Sequence, residues 1–267
     1  GDTRWGITAV NLRSVDQAAF AEAAKPDGYI LRRLNNAGHV DDRLIRCHAG
    51  FIDWSTDRAA TEAAMAAASV QAVTMTVTEA GYSLDGKGQL DLNDPIIRAE
   101  LDGAEGQTVY AYLTQGLRLR AERLGAPITL LNCDNIRRNG KMLARNLIAY
   151  LEALGDGDLV HWVKQNVTFP SSMVDRITPQ TSADHHDEAT ALYGEGVDLG
   201  PTIHAESFIQ WVIEDNFAAA FPDLRPEDVT ITPDVDPYEE TKIRVLNGGH
   251  TALAYLGALG GFKRFDE

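Results

Sequence analysis

Apolar and polar residues follow two different periods along this chain, and segments of the two kinds alternate. Short runs rich in apolar and β-branched residues predict strands over residues 4–14, 28–34, 43–52 and 127–135, and a strand that runs into a glycine-containing loop over 71–86. Apolar residues at helical spacing predict helices over residues 14–24, 56–69, 106–125 and 139–155. Ser14 is the predicted N-cap of the first helix. Strands that alternate with helices predict an α/β fold, in which helices cover both faces of a parallel sheet.

The pattern changes after about Pro179, where runs typical of strands become scarce. A polar, glycine-containing stretch follows and predicts a connecting loop. Two segments with helical spacing come next, at residues 206–217 and 238–261. The sequence therefore predicts an α/β domain over residues 1–180, followed by a mainly helical domain over residues 181–267.

Polar residues stand where three of the predicted strands end. These tips are N-L-R-S at 11–14, T-E-A-G-Y at 78–82 and N-C-D-N at 132–135. In open parallel sheets, ligands bind in the crevice at the carboxyl ends of the strands. The three tips are therefore the first candidates for a binding site.

Composition narrows the range of ligands and partners. The net charge of −15 is a poor match to phosphate backbones, so we expect no nucleic acid as partner. No apolar run approaches the roughly 20 residues of a membrane-spanning helix. Two cysteines are too few for a disulfide framework, which favours a reducing cytoplasm. The run D-H-H-D-E at 184–188 has metal-ligand residue types, but it is contiguous and loop-like, so we predict no metal site.

Polar residues also interrupt the apolar pattern of the last predicted helix. At about 100° per residue, Glu239, Asn247 and His250 fall on the same side of the helix as Lys242. The surrounding apolar residues predict that this helix is buried. A buried lysine is costly unless it is paired or neutral, and a neutral amine is what general-base chemistry requires. The alternative is that Lys242 extends to solvent and His250 is a satisfied core histidine.

A resemblance favours the first of these two interpretations. The spacing Lys-x4-Asn-x2-His within K-I-R-V-L-N-G-G-H resembles the signature of the polyol-specific long-chain dehydrogenases and reductases. That family includes mannitol 2-dehydrogenase, arabinitol 4-dehydrogenase and the fructuronate and tagaturonate reductases. Further segments match the family in the same order, at residues 76–82, 132–140, 169–179, 206–217 and 237–250. The resemblance covers most of the chain and implies a Rossmann-like domain followed by a helical one.

The resemblance implies a zinc-independent oxidation of a secondary alcohol by a nicotinamide cofactor. Lys242 would be the general base that takes the proton of the alcohol. Asn247 and His250 would orient the substrate oxygen and the lysine. Asn135 would join Asn247 in donating hydrogen bonds to the developing charge on that oxygen.

Two carboxylates complete the set that the resemblance implies. Glu239 would lie beside the lysine and relay its proton to solvent, and Asp175 would hold hydroxyl groups of the substrate. The implied substrate is a sugar alcohol of the D-mannitol or D-arabinitol type, which is interconverted with its ketose.

The expected cofactor is NAD, with NADP as the alternative. Asp16 would bind the ribose hydroxyls of NAD, whereas Arg13 could accept the phosphate of NADP. Both residues could instead be solvated loop charges. Thr78, Glu79 and Asn135 would lie near the nicotinamide, in loops that follow two of the strands.

The chain departs from the family pattern at both ends. The family begins with a strand, a glycine-rich turn and a helix, and these residues contain no such unit. Family members also continue beyond the catalytic helix, so we expect the chain to be part of a longer enzyme, acting as a monomer or small homo-oligomer. Two alternatives stay open: a fructuronate or tagaturonate reductase, and a binding protein on a degenerate dehydrogenase scaffold.

Overall fold

The computed structural model describes residues 4–35, 37–179, 187, 191–193 and 196–263. Its strands are β1 (Ile7–Asn11), β2 (Tyr29–Leu34), β3 (Val40–Ile45), β4 (His48–Asp53), β5 (Ala72–Met75), β6 (Ile128–Asn132), β7 (Val167–Thr168), β8 (Ser172–Asp175), β9 (Thr202–Glu206), β10 (Gln210–Glu214) and β11 (Val229–Thr232). Its α-helices are α1 (Gln17–Ala23), α2 (Arg58–Met65), α3 (Pro95–Leu101), α4 (Val109–Arg123), α5 (Asn139–Ala153), α6 (Gly157–Asn166), α7 (Asp236–Thr241) and α8 (Gly248–Leu259).

Parallel pairing dominates the first part of the chain, as the alternating pattern predicts. β5, β6 and β7 form one parallel group, and β1 pairs in parallel with β4. All five residues of β6 are buried, because α4 and α5 supply the core around it. Leu113 and Leu117 of α4 and Leu143 and Leu147 of α5 have no exposed surface. Each such leucine contributes roughly 1.5–3 kcal/mol through burial.

Two predictions about the N-terminal half need correction. The predicted strand over 43–52 is two strands, because β3 pairs with β2 in a hairpin whereas β4 pairs with β1. Ser14 is not a helix cap: it lies in a 3₁₀ turn, Ser14–Asp16, that precedes α1. At the N-cap position of α1, Asp16 makes no side-chain capping bond and pairs with Arg13 instead.

The predicted helix over 206–217 is wrong. Within it, Gln210–Glu214 forms β10, which pairs antiparallel with β8 and parallel with β11. β9 also lies beyond residue 180 and pairs in parallel with β2. The run Q-W-V-I-E is aromatic and β-branched, so pairing on both sides overrides its helical spacing. The domain boundary at residue 180 stays a prediction.

The last helix is continuous, but it changes its hydrogen-bonding pattern in the middle. α7 runs directly into a π-helical turn, Lys242–Asn247, and then into α8. Gly248 and Gly249 do not break the helix. The expectation of a buried helix is wrong for α8 among the residues described here. Its apolar side chains Leu253, Tyr255, Leu256 and Leu259 are exposed.

Candidate active site

Lys242 lies at the junction of α7 and the π-helical turn, and its side chain points into the protein. Nζ donates to Oδ1 of Asn135 at 3.1 Å and to the backbone carbonyl of Val174. It also lies 3.6 Å from Oδ1 of Asp175, and only 9% of the lysine side chain is exposed. Two hydrogen-bond acceptors and one nearby carboxylate thus surround the amine of Lys242. The alternative interpretation, in which Lys242 extends to solvent, is therefore wrong.

The lysine lies in the wall of a groove of about 690 Å³. His250 and Asp175 line the same groove, together with Phe208, Gln210, Tyr238, Val245, Leu246 and Leu253. The volume falls within the usual range for small-molecule sites, which are mostly apolar with a few polar groups. Three predicted residues, Lys242, Asp175 and His250, therefore share one groove, and Asn135 contacts the lysine.

Asn247 and Glu239 are placed differently from these residues. Asn247 is exposed at the end of the π-helical turn. Its backbone carbonyl accepts a hydrogen bond from Oγ1 of Thr251 at 2.9 Å. Glu239 is buried, and its carboxylate accepts from the backbone N–H of Arg138 at 3.1 and 3.2 Å. Burial raises the pKa of Glu239, partly against the effect of this hydrogen bond, which lowers it.

Two arginines that the sequence analysis did not single out flank this contact. The Arg138 guanidinium binds both carboxylate oxygens of Asp236, with Nη2 to Oδ2 at 2.6 Å. Arg137 pairs with Glu240. Both arginines lie in the matched segment 132–140. Glu240 lies in the matched segment 237–250, and Asp236 directly precedes it. The opposite charges of these two segments are the feature of the sequence from which the pairing could have been predicted.

The loop that carries Asn135 is supported from below by Asp134, which is also new. The Asp134 carboxylate accepts from the backbone N–H of Val77 at 3.0 Å and of Thr78 at 2.8 Å. It also accepts from the Tyr82 hydroxyl, whose pKa is raised mainly by burial. These bonds join the end of β5 to the end of β6.

A second group of buried amides and hydroxyls extends this network to β8. Asn139 donates to the carbonyls of Asp134 and Ser172 at 2.8 Å each. Ser172 returns a bond from its N–H to Oδ1 of Asn139 at 2.9 Å, and its hydroxyl donates to the carbonyl of Asn132 at 2.6 Å. The strand ends that carry Asn135 and Asp175 are thus fixed relative to each other.

The residues expected at the cofactor lie at the ends of β1 and β5. Arg13 and Asp16 form an ion pair of 3.2 Å, with side chains 65% and 52% exposed. Buried Asn11 holds the backbone of Arg13 through bonds of 2.9 and 3.2 Å. Thr78 and Glu79 are exposed, and Thr78 has a φ of 68°. Both tips therefore present polar groups that a nucleotide could reach, as binding at strand ends requires.

The run at 184–188 lies outside the described residues, apart from Asp187. Across the described ranges, no group of three or more histidine, cysteine, aspartate or glutamate side chains is arranged to hold a metal ion. Within the same ranges, no helix has the length and apolar character needed to cross a membrane.

Fold and site together define the class: a Rossmann-like α/β protein with a lysine-centred groove between its strand ends and a C-terminal helix. Residues 2–226 match the mannitol dehydrogenase Rossmann domain, and residues 234–267 match the mannitol dehydrogenase C-terminal domain. The chain belongs to the mannitol dehydrogenase family. The predicted family and fold class are both confirmed.

Two relatives and one solved structure illustrate the match. A D-arabinitol 4-dehydrogenase of Ralstonia nicotianae is 40% identical over 99% of this chain and 56% of its own length. A D-mannonate oxidoreductase of Escherichia coli is 41% identical over all of this chain and 55% of its own. The Pseudomonas fluorescens mannitol 2-dehydrogenase, solved with NAD and D-mannitol, is 34% identical with a TM-score of 0.85, covering 97% of this chain and 52% of that one. The chain thus spans about half the length of the relatives it matches.

Proposed function

We propose that this protein interconverts a sugar alcohol and its ketose by zinc-independent hydride transfer to NAD. The observation that carries the proposal is the placement of Lys242 in the groove, 3.1 Å from Asn135 and 3.6 Å from Asp175. The relatives act on arabinitol, mannitol and mannonate by their names, and the solved relative binds NAD and D-mannitol.

The proposed reaction removes a hydride and a proton from one secondary alcohol. In its neutral form, the Lys242 amine takes the hydroxyl proton, because only that form has a lone pair to accept it. NAD supplies the hydride acceptor, and the carbon that loses hydride becomes the carbonyl of the ketose. The lysine therefore has to exchange its bond to a protein oxygen for one to the substrate hydroxyl.

The amide of Asn135 suits a role in stabilising charge on the reacting oxygen. Its Oδ1 accepts from Lys242, so its Nδ2 group is the end that can donate to a substrate oxygen. In this proposal Asn247 is a second donor, and His250 orients the oxygen from the groove wall. Asp175, beside the lysine, would hold neighbouring hydroxyls of the polyol.

Glu239 is the proposed proton relay between Lys242 and solvent. It lies three residues before the lysine on the same helix, is buried and has a raised pKa. A carboxyl group with a raised pKa exchanges protons closer to neutral pH than an ordinary one does.

For the cofactor, Asp16 would bind the ribose hydroxyls, and the Thr78–Glu79 turn would lie near the nicotinamide. The open ion pair of Asp16 with Arg13 supports this assignment, because both side chains are exposed enough to exchange partners for a ligand. An arginine at the same tip keeps NADP as the alternative.

A hexuronate reductase is the second candidate, and the relative named D-mannonate oxidoreductase, 41% identical, favours it. A sugar acid would need a cation for its carboxylate. Arg176, which directly follows Asp175, is not among the groove-lining residues and donates from Nε to the carbonyl of Glu206 at 3.1 Å.

The test is a turnover screen of the natural protein with polyols, ketoses and hexuronates, each with NAD(H) and NADP(H). We expect polyol oxidation with NAD that rises with pH, because a general base accepts a proton only in its unprotonated form. Lys242→Ala should lose about 10²–10⁴-fold in turnover or more, and should keep its affinity for the cofactor. Lys164→Ala, at an exposed lysine of α6, is the matched control and should behave as wild type. Near-normal turnover and an unchanged pH profile in Lys242→Ala would falsify the assignment of the base.

We also propose a cytoplasmic protein that is a monomer or a small homo-oligomer. The free thiols of Cys47 and Cys133 support a reducing compartment. Light scattering of the natural protein measures the oligomeric state directly.

A further inference from the structure

The loop that carries Asn135 is fastened to the helix that carries Lys242 by a set of polar contacts, here called the loop clamp. The loop clamp consists of Arg137, Arg138, Asp236, Glu239 and Glu240. It contains the Arg137–Glu240 ion pair, the Arg138–Asp236 pair with Nη2–Oδ2 at 2.6 Å, and the Glu239 bonds to the Arg138 N–H at 3.1 and 3.2 Å. All of these contacts join segments about 100 residues apart in sequence.

The loop clamp holds a strained backbone. Arg138 has a φ of 51°, in the left-handed region that disfavours residues with a Cβ. Such a conformation is unfavourable for a residue with a Cβ and persists only where its surroundings determine it. Here the surroundings are Glu239, which binds the N–H, and Asp236, which binds the guanidinium. An exposed arginine has no packing reason of its own to adopt this conformation.

The strained backbone of Arg138 and the contacts of the loop clamp both affect the distance between Lys242 and Asn135. Asn135 lies three residues before Arg138, and Lys242 lies three residues after Glu239 and six after Asp236. The bond from Lys242 to Asn135 is therefore set by two segments that the loop clamp holds together. Apolar packing of Val235 and Tyr238 against Met173 and Val212 also anchors this helix, and the loop clamp adds the polar contacts that join it to the loop of Asn135.

We infer that Arg138, held by Asp236 and Glu239, is a positioning residue that fixes Asn135 against Lys242. Its consequence for turnover rests on the proposed function, whereas its consequence for the lysine side chain does not. A displacement of roughly 1 Å at a reacting group can cost about 10²-fold in rate, so a restraint that is distant from the chemistry has a measurable effect.

The main variants are Arg138→Gly and Asp236→Asn in the natural protein. Glycine adopts the left-handed φ without strain, so Arg138→Gly is compatible with the loop backbone and removes the side chain with its guanidinium. The matched control is Asp156→Asn, which weakens another arginine–aspartate pair between separate elements, Arg118–Asp156 at 2.8 Å. Asp156 belongs to the start of α6 and has no part in the proposed site.

The first readout is the rate at which an amine-reactive ester labels Lys242, followed by mass spectrometry of the lysine peptide. We expect several-fold faster labelling in Arg138→Gly and Asp236→Asn, and an unchanged rate in Asp156→Asn. The second readout is steady-state kinetics. Here kcat should fall about tenfold or more in both variants, while KM for NAD stays within about twofold.

Rescue separates positioning from general damage. Arg138→Lys should have a higher kcat than Arg138→Gly. The double variant Arg138→Asp with Asp236→Arg exchanges the two charges, and its kcat should be higher than that of Arg138→Asp or Asp236→Arg alone. Wild-type labelling and kcat in both main variants, or equal losses in Asp156→Asn, would overturn the inference. If the natural protein turns over no polyol or sugar acid, the proposed function fails, but the labelling rates still decide whether Arg138 positions the lysine.

Discussion

Two buried carboxylates hold the two sides of the groove, and they do so in different ways. Asp134 is 3% exposed and Glu239 is 5% exposed. Each accepts a hydrogen bond from the backbone N–H of a residue with positive φ, Thr78 at 68° and Arg138 at 51°. The difference lies in what else surrounds each acid.

On the strand-end side, Asp134 is part of a closed network. Tyr82 donates to it, and the Tyr82 hydroxyl in turn accepts from Nδ2 of Asn132 at 2.7 Å. On the helix side, Glu239 has the Arg138 N–H, and the nearby charge of Asp236 raises its pKa further. We interpret the closed network around Asp134 as a contribution to the stability of the fold. The position of the helix that carries Glu239, in contrast, can be adjusted by small changes of charge.

The largest expected effect is that of Asp134→Ala. The change leaves the N–H groups of Val77 and Thr78 and the Tyr82 hydroxyl without their acceptor in a buried place. We expect the free energy of unfolding to fall by about 3–5 kcal/mol, measured by urea denaturation. Asp134→Asn keeps one oxygen acceptor and should lose less. A loss below about 1 kcal/mol in Asp134→Ala would remove the contrast between the two sides.

A smaller but clear effect is expected at Gly140, in the first turn of α5. A Cβ there would lie 2.3 Å from the carbonyl oxygen of Phe169 and 2.6 Å from backbone atoms of Pro170. Because backbone has to move, Gly140→Ala should cost about 1–3 kcal/mol in the same measurement. Gly157→Ala, at the start of α6 with open space around it, is the control and should be neutral or slightly stabilising. Equal behaviour of the two variants would contradict a rigid strand-end side.

Glu239 predicts a pH dependence on the helix side. Its pKa is raised from the ordinary 4.5, mainly by burial, so the folded state binds its proton more tightly than the unfolded state does. Stability should therefore fall as the pH rises from about 4.5 through the raised value. Glu239→Gln removes this contribution and should flatten the pH dependence of thermal unfolding in this range. An identical slope in wild type and Glu239→Gln would show that Glu239 is ionised at no cost.

The smallest expected effect concerns Asp236 and has the opposite sign. The Arg138 guanidinium holds the pKa of Asp236 below its ordinary value of 3.8. Its contribution to stability is present above that value and is lost as the pH falls through the lowered pKa. NMR titration of the aspartate, in wild type and in Arg138→Gly, should show the lowered pKa return towards 3.8 in the variant. No change between the two would mean that solvent screens the pair completely.

The sequence predicts the parallel arrangement of β5, β6 and β7 because buried runs that alternate with helices leave few other options. The resemblance predicts Lys242, Asn135 and Asp175 as parts of one site, and the structure brings these three side chains together. β10 escapes prediction because its apolar residues fit a helical period as well as an alternating one. Pairing with β8 and β11 decides between them, and pairing is a property of distant residues.

Asp134 and Arg138 could not be ranked from the sequence for the same reason. The sequence alone does not distinguish a polar residue that caps a turn from one that binds a ligand or one that is exposed to solvent. What distinguishes Arg138 is a partner 98 positions away and a positive φ, and neither leaves a local pattern.

The π-helical turn at Lys242–Asn247 changes the direction in which the side chains after it point, relative to those before it. A π-helical turn closes its hydrogen bonds over five residues instead of four, so it holds one residue more than an α-helical turn does. Removing a single residue between Ile243 and Leu246 would restore the ordinary turn and rotate His250 by about 100° around the axis relative to Lys242. A one-residue insertion or deletion in this turn can therefore change the direction of His250 in the groove wall, without any substitution in the residues that line the groove.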